Sequence, residues 1–193
     1  MRPGSLASPA FVWPIDRCLD AQRGLTLIEL MLSVALVALL AVWALPSFDG
    51  LLQRRQVLGV SAQLVTDLQY LRSLGLARRA ALRLSVQTPA SGPGGCYLVH
   101  TGAADACSCS GTTITCTTGT ELLRSFALPA DSRLRLRANV ASMRVDPRQG
   151  TFSPTGSIEV IAADGNSLKH VINLLGRVRL CAAAGSWQGI SAC

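Results

Sequence analysis

Histidine is nearly missing from this chain: His100 and His170 are the only two in 193 residues, and both fall in segments with strand periodicity. General acid-base and metal chemistry lean on imidazole, and no Ser/His/Asp arrangement, phosphate loop or metal-binding His motif assembles around either one. An enzyme is therefore not expected, no cofactor or metal is implied, and the two histidines read as half-buried structural residues. Lysine is scarcer still. Lys169 stands beside 17 arginines, so 18 cations face 11 acids and the formal net charge is +7. A basic balance favours anionic partners such as nucleic acid or a lipid surface, although a GC-rich genome produces the same arginine-for-lysine bias. Charge is thinnest at one place: from Leu25 to Phe48 the only ionisable side chain is Glu29.

The surrounding stretch, RGLTLIELMLSVALVALLAVWAL from Arg23 to Leu45, is long and apolar enough to read as a membrane-spanning helix. A charged side chain at the centre of such a helix costs about 2.5–3.5 kcal/mol, less near an end, so Glu29 needs compensation. If Gly24 closes a leader and Leu25 opens the mature chain, the new amine lies one helical turn from Glu29. In a bundle of staggered helices a neighbour's amine would meet that carboxylate, and the buried charge becomes a registry device.

At these residues the chain resembles the type IV pilin and type II secretion pseudopilin superfamily. The resemblance rests on Gly24, on Leu25 where the family usually has Phe, on Thr26, Leu27, Ile28, Glu29 and Leu30, and on Pro46. It implies that a prepilin peptidase cuts after Gly24 and methylates the amine of Leu25, and that the subunit polymerises through this helix with Glu29 and Pro46 as assembly residues. Two plainer readings compete: a secretory signal peptide cut at Leu45 after Val42 and Ala44, and a permanent single-pass anchor. The first residue of the mature protein, Leu25, Leu45 or Met1, separates the three.

The segments that follow from this are a leader at 1–24, a transmembrane and polymerisation helix at 25–48, and a periplasmic head at 49–193. Removing the leader leaves 169 residues, enough for one domain on a helical stem. The leader is long and barely charged, with Arg17 and Arg23 against Asp16 and Asp20, which a start site further along would explain. Cys18 leaves with it. Six cysteines remain, Cys96, Cys107, Cys109, Cys116, Cys181 and Cys193, and an even count in an exported domain points to disulfides. Cys181 and Cys193 bracket the last segment and are expected to pair, pinning a tail that would otherwise fray. The four upstream cysteines have no assigned pairing. Four thiolates also suffice for zinc, but the Cys107-x-Cys109 spacing and an oxidising compartment argue for bridges.

From Pro46 to about Ala81 the sequence stays helical, with Val57, Val60, Leu64, Leu68, Leu71 and Leu74 forming one stripe to lie on a sheet. Arg54, Arg55, Gln56, Asp67, Arg72, Arg78 and Arg79 lie off that stripe and read as a solvated face, with Pro46 and Gly50 as kinks. At 1.5 Å per residue, a helix from Leu25 to Ala80 is about 84 Å long, so half of it must leave the domain for membrane or filament. Beyond it the period changes to two. Strands are predicted at 82–87, 96–101, 121–128, 133–137, 142–146, 157–162, 168–175 and 177–181, joined by short turns that favour antiparallel pairing. Residues 89–95 and the Cys/Thr-rich insertion at 102–120 read as loops. The expected fold is α+β and pilin-like: a long N-terminal helix, transmembrane half plus amphipathic half, packed on an antiparallel sheet or small β-sandwich head.

The last basic element is Gly176-Arg177-Val178-Arg179. Strand alternation sends Arg177 and Arg179 to one face, Val178 and Leu180 to the core, and two guanidiniums on one face can grip successive phosphates. Lys169 and Arg148 extend the patch. Together with AQLVTDLQYLRSLGLARR, GTFSPTGSIEV, the turn DGN and LGRVRLC, this resembles the FimT/GspH branch, the minor pilins of natural transformation and the minor pseudopilin H of type II secretion. Within the FimT subgroup a C-terminal Gly-Arg-x-Arg is associated with DNA binding, which Gly176, Arg177 and Arg179 match. The plainer reading is a basic strand face, which RLRLR at 133–137 shows elsewhere in the chain. Two functions follow from the resemblance, a DNA-uptake pilus subunit holding double-stranded DNA by its phosphates or a secretion pseudopilin with no nucleic-acid role; a third, a single anchored periplasmic binding domain outside any filament, holds if the leader is never cut. The implied partners are other pilin or pseudopilin subunits, prepilin peptidase and the inner membrane, where the subunit sits as a single-pass protein before joining the filament.

Overall fold

Helix α1, Leu27–Arg78, begins where Thr26 Oγ1 accepts the backbone N–H of Glu29 at 3.3 Å, a hydroxyl filling one of the donors a helix start leaves open. The computed structural model describes residues 26–193, the side chains of 43–47 excepted, so Gly24 and Leu25 lie outside the described residues. Helical assignment runs through Pro46 and Gly50 without a break, and it ends at Arg79, whose φ of 51° is the left-handed turn that closes a helix. The chain divides into two compact units, Met1–Trp43 and Ala44–Cys193. In the first, the large apolar side chains from Leu27 to Val42 are 54–79% exposed. Among the described residues, no helix is long and apolar enough to cross a membrane.

The second unit is the head, in which α1 carries its stripe into a core shared with two antiparallel sheets. Val57, Leu64, Leu68 and Leu71 are fully buried, and Val60 and Leu74 pack at the margin. One sheet has five strands in the order β5 (Leu122–Leu128), β2 (Gly95–Thr101), β1 (Leu82–Gln87), β7 (Ser142–Val145), β8 (Phe152–Ser153). The other has four, ordered β11 (Val178–Ala184), β10 (Ser167–Ile172), β9 (Gly156–Ala162), β6 (Leu134–Ala138). The architecture is α+β, and its β part is two sheets with a small third one. That third sheet corrects the loop expected at 102–120: β3 (Cys107–Ser110) and β4 (Thr113–Cys116) form a hairpin.

Cross-links hold this hairpin where burial alone would not. Cys107 and Cys116 face each other in register and are bridged, while Cys109 is bridged to Cys96 on β2. Cys96, Leu98 and Cys107 are buried together as a satellite core, and Gln87 of β1 donates to Cys107 O at 3.2 Å and accepts from Cys109 N at 2.9 Å. At the other end of the head, Cys181 is bridged to Cys193, and Ala182 bonds the tail on both sides, to Ser191 O and from Cys193 N.

Asp67 is not on a solvated face. It is 3% exposed and accepts from Tyr97 Oη at 2.7 Å and from Gln63 Nε2 at 3.0 Å, because a carboxylate out of water needs donors. Burial, and then the Asp67 carboxylate, push the Tyr97 phenol well above its usual range. Both histidines are fully buried rather than half-buried. His100 bonds Ser85 Oγ at 2.8 Å and the Thr101 carbonyl at 2.7 Å. His170 has one ring nitrogen 3.3 Å from the Ile158 carbonyl, while its Nε2 has no partner.

Burial holds the His170 imidazole below its usual pKa, only partly offset by the backbone groups of Ile158 and Ser61 near the ring. The folded head thus binds fewer protons than the unfolded chain at mildly acid pH. Stability is expected to be at its plateau above about pH 6.5 and to decline below it, as the unfolded imidazole gains a proton the folded one refuses. Denaturant midpoints measured between pH 8 and pH 5 check this, and His170→Gln should flatten the decline.

Candidate polyanion-binding groove

Strand β11 is an edge strand, and its first half borders a groove against the C-terminal half of α1. The groove has a volume of about 890 Å³ and is lined from the helix by Gln69, Arg72 and Leu76, from the turn before β11 by Gly176 and Arg177, and from β11 by Arg179. Arg177 and Arg179 are exposed, whereas Val178 and Leu180 between and after them are partly buried against the core. This is the alternation a strand imposes.

The approach to the strand is a tight turn. β10 ends at Ile172, so Leu174 and Leu175, predicted to extend that strand, sit in the turn and are 54% and 61% exposed. Asn173 shapes it: its Oδ1 accepts the Arg177 N–H at 2.8 Å, and its carbonyl accepts the Gly176 N–H at 3.0 Å. Gly176 has φ of 75°, and a Cβ there would meet Phe152 Cε2 at 2.9 Å and Arg72 Cδ at 3.2 Å. Glycine is thus required twice over, for the backbone and for the close approach.

Arg72 is the residue that sequence periodicity misplaced. Its stem runs between the backbones of two turns, since a Cβ on Gly150 would lie 3.1 Å from Arg72 Nε. Half-buried, it brings a third guanidinium to the groove that Arg177 and Arg179 line. A position one residue past buried Leu71 was the only sequence signal, and it is a weak one.

Arg148 lies in the turn after β7 and does not line the groove. Asp146 fixes that turn by accepting the N–H groups of Arg148 and Gln149 at 2.8 and 2.9 Å, and those bonds hold its carboxyl below the usual range. Lys169 lies on β10, in register with Glu159 on one side and Cys181 on the other. No acid lines the groove. Three guanidiniums in a concave site with no counter-charge can hold an anion with several separated charges. Among the described residues no group of His, Cys, Asp and Glu could hold a metal ion.

Glu29 is at the other end of the chain, in the first turn of α1, where its carbonyl accepts Ser33 Oγ at 2.7 Å. Pro46 is within the helix.

Comparison with known proteins adds three findings. The sequence matches the family described as type II transport protein GspH over residues 61–176, and the prokaryotic N-terminal methylation motif over residues 19–45. The crystal structure of the Pseudomonas aeruginosa type IV minor pilin FimU is similar at 19% identity with a TM-score of 0.44, covering 70% of this chain and 95% of that one. No curated protein matches the sequence. The family match stops at Gly176, so Arg177 and Arg179 stand on their own geometry.

Proposed function

We propose that this chain, which belongs to the family of the type II transport protein GspH, is a minor pilin-like filament subunit whose head binds duplex DNA through the phosphates. Members of the family are structural subunits rather than enzymes. The observation that carries the DNA reading is the convergence of Arg72, Arg177 and Arg179 on one groove without an acid. Phosphate contacts of this kind bind without reading sequence.

For the stem, the methylation motif supports cleavage after Gly24 and a new amine at Leu25. A helix that exposes most of its apolar surface from Leu27 to Val42 is not stable bare in water. In this reading the inner membrane covers it before assembly and neighbouring subunits cover it afterwards, with Glu29 meeting an adjacent amine.

The test uses the full chain in a neutral detergent and a duplex titrated against salt. Two lost phosphate contacts reduce the slope of log affinity against log salt by about 1.8, and this is the expected effect of Arg177→Ala with Arg179→Ala. An unchanged slope would rule the groove out. The match to a type II transport family favours a second reading, a secretion pseudopilin whose head contacts other subunits. A deletion strain that loses export and keeps DNA uptake would select that one.

A further inference from the structure

Two arginine-rich segments that are far apart in sequence, RLRLR and GRVR, end on the same sheet. Residues directly opposite in an antiparallel sheet share a face, and so do residues two apart on one strand. Arg137 of β6 pairs with Glu159 of β9, Glu159 with Lys169 of β10, and Lys169 with Cys181 of β11. Arg135 is two residues from Arg137, and Arg179 pairs with Val171, two residues from Lys169. Arg135, Arg137, Lys169 and Arg179 therefore occupy one face, and Arg177 continues the row at its end. The opposite face of the same strands supplies Leu136, Val160, Ile158 and Leu168 to the core. The basic face is the solvent side.

One acid interrupts it. Glu159 has a side chain only 9% exposed, accepts Ser167 Oγ at 2.7 Å, and lies 3.0 Å from Arg137 Nη2. The ion pair holds Arg137 by one nitrogen while its side chain stays 63% exposed. Lys169 is in register with the same acid on its other side, and Arg135 and Arg179 have no acidic neighbour in register.

We propose that Arg135, Arg137, Lys169, Arg179 and Arg177 form one track across the outer face of the four-stranded sheet, along which double-stranded nucleic acid lies. The proposal rests on the DNA reading above and extends it to β6. Three strand spacings put about 14 Å between β6 and β11. At one charge per roughly 1.7 Å of axis, a duplex crossing that width presents several phosphates to the row. Shape favours a rod over a lipid surface: the row leads into the groove beside α1, which a polyanion's edge can enter and a flat bilayer cannot.

Salt titrations of the full chain in neutral detergent with a duplex of roughly 30 base pairs test it. Arg135→Gln with Arg137→Gln is expected to make the slope shallower by about 1.8 while Arg177 and Arg179 remain. Glu159→Gln keeps the bond to Ser167, frees Arg137, and is expected to tighten binding and steepen the slope by about 0.9. If the native chain binds the duplex and neither variant changes the slope, the track is overturned and the groove reading stands. Should the double variant fail to fold, an unchanged slope in Glu159→Gln is by itself enough to overturn it. A native chain that binds no duplex overturns both readings. Loss of binding to phosphatidylglycerol vesicles in the double variant, with duplex binding intact, assigns the face to lipid and also overturns the track.

Discussion

Subunits carrying Glu29→Gln are expected to be depleted from sheared filaments by two orders of magnitude or more relative to native copies. Two energies set the outcome. Within one chain the carboxylate sits in the first turn of α1, where an acid gains about 0.3–1 kcal/mol from the helix dipole. Between chains, removing one member of an ion pair in an apolar bundle leaves the partner's amine unpaired, at about 3–5 kcal/mol per contact. The second term dominates. Glutamine leaves the helix start intact, because Thr26 Oγ1 is bonded to the Glu29 backbone N–H and not to its carboxylate. Filament content measured by quantitative mass spectrometry, normalised to the cellular pool, checks the result, and equal incorporation would remove Glu29 from assembly.

Asp67→Ala is expected to lower the unfolding free energy of the head by about 2–4 kcal/mol, the largest effect from any single polar group in it. The change strands the Tyr97 hydroxyl, which is fully buried and has Asp67 as its partner. It also removes the acceptor of Gln63 and opens a void beside the Tyr97 ring stacked on Phe126 at 5.2 Å. Asp67→Asn keeps an oxygen to accept the phenol and should recover part of the loss. Urea denaturation of the three proteins decides it, and a shift within 0.5 kcal/mol for Asp67→Ala would mean the pair adds nothing.

Why Asp67 escaped the sequence reading is instructive about which features periodicity can carry. Val57, Leu64, Leu68 and Leu71 were legible because burial of an apolar stripe follows the 3.6-residue repeat. Asp67 precedes buried Leu68, and an acid there reads as solvated unless the tyrosine on β2 that satisfies it is known. Arg72 failed in the same way, since its neighbours are the turns at Gly150 and Gly176, which the fold alone brings to it. Eight strands were visible from alternation. The hairpin of β3 and β4 was not, because four-residue strands of Ser, Thr and Cys with Ile114 as their one large apolar residue bury little and owe their order to cross-links. Alternation put Arg177 and Arg179 on one face, but only cross-strand register could place Arg135 and Arg137 beside them.

The interlocked bridges at Cys96–Cys109 and Cys107–Cys116 also change what a protease can do. Ser110, Gly111 and Thr113 at the hairpin tip are exposed, as an accessible cleavage site must be. A nick between Cys109 and Cys116 nevertheless leaves both fragments joined, because Cys107 before the cut is tied to Cys116 after it, while Cys96–Cys109 keeps the upstream end on β2. A nicked subunit would run as an intact band until a thiol reductant splits it, and it would keep its place in whatever assembly it had joined.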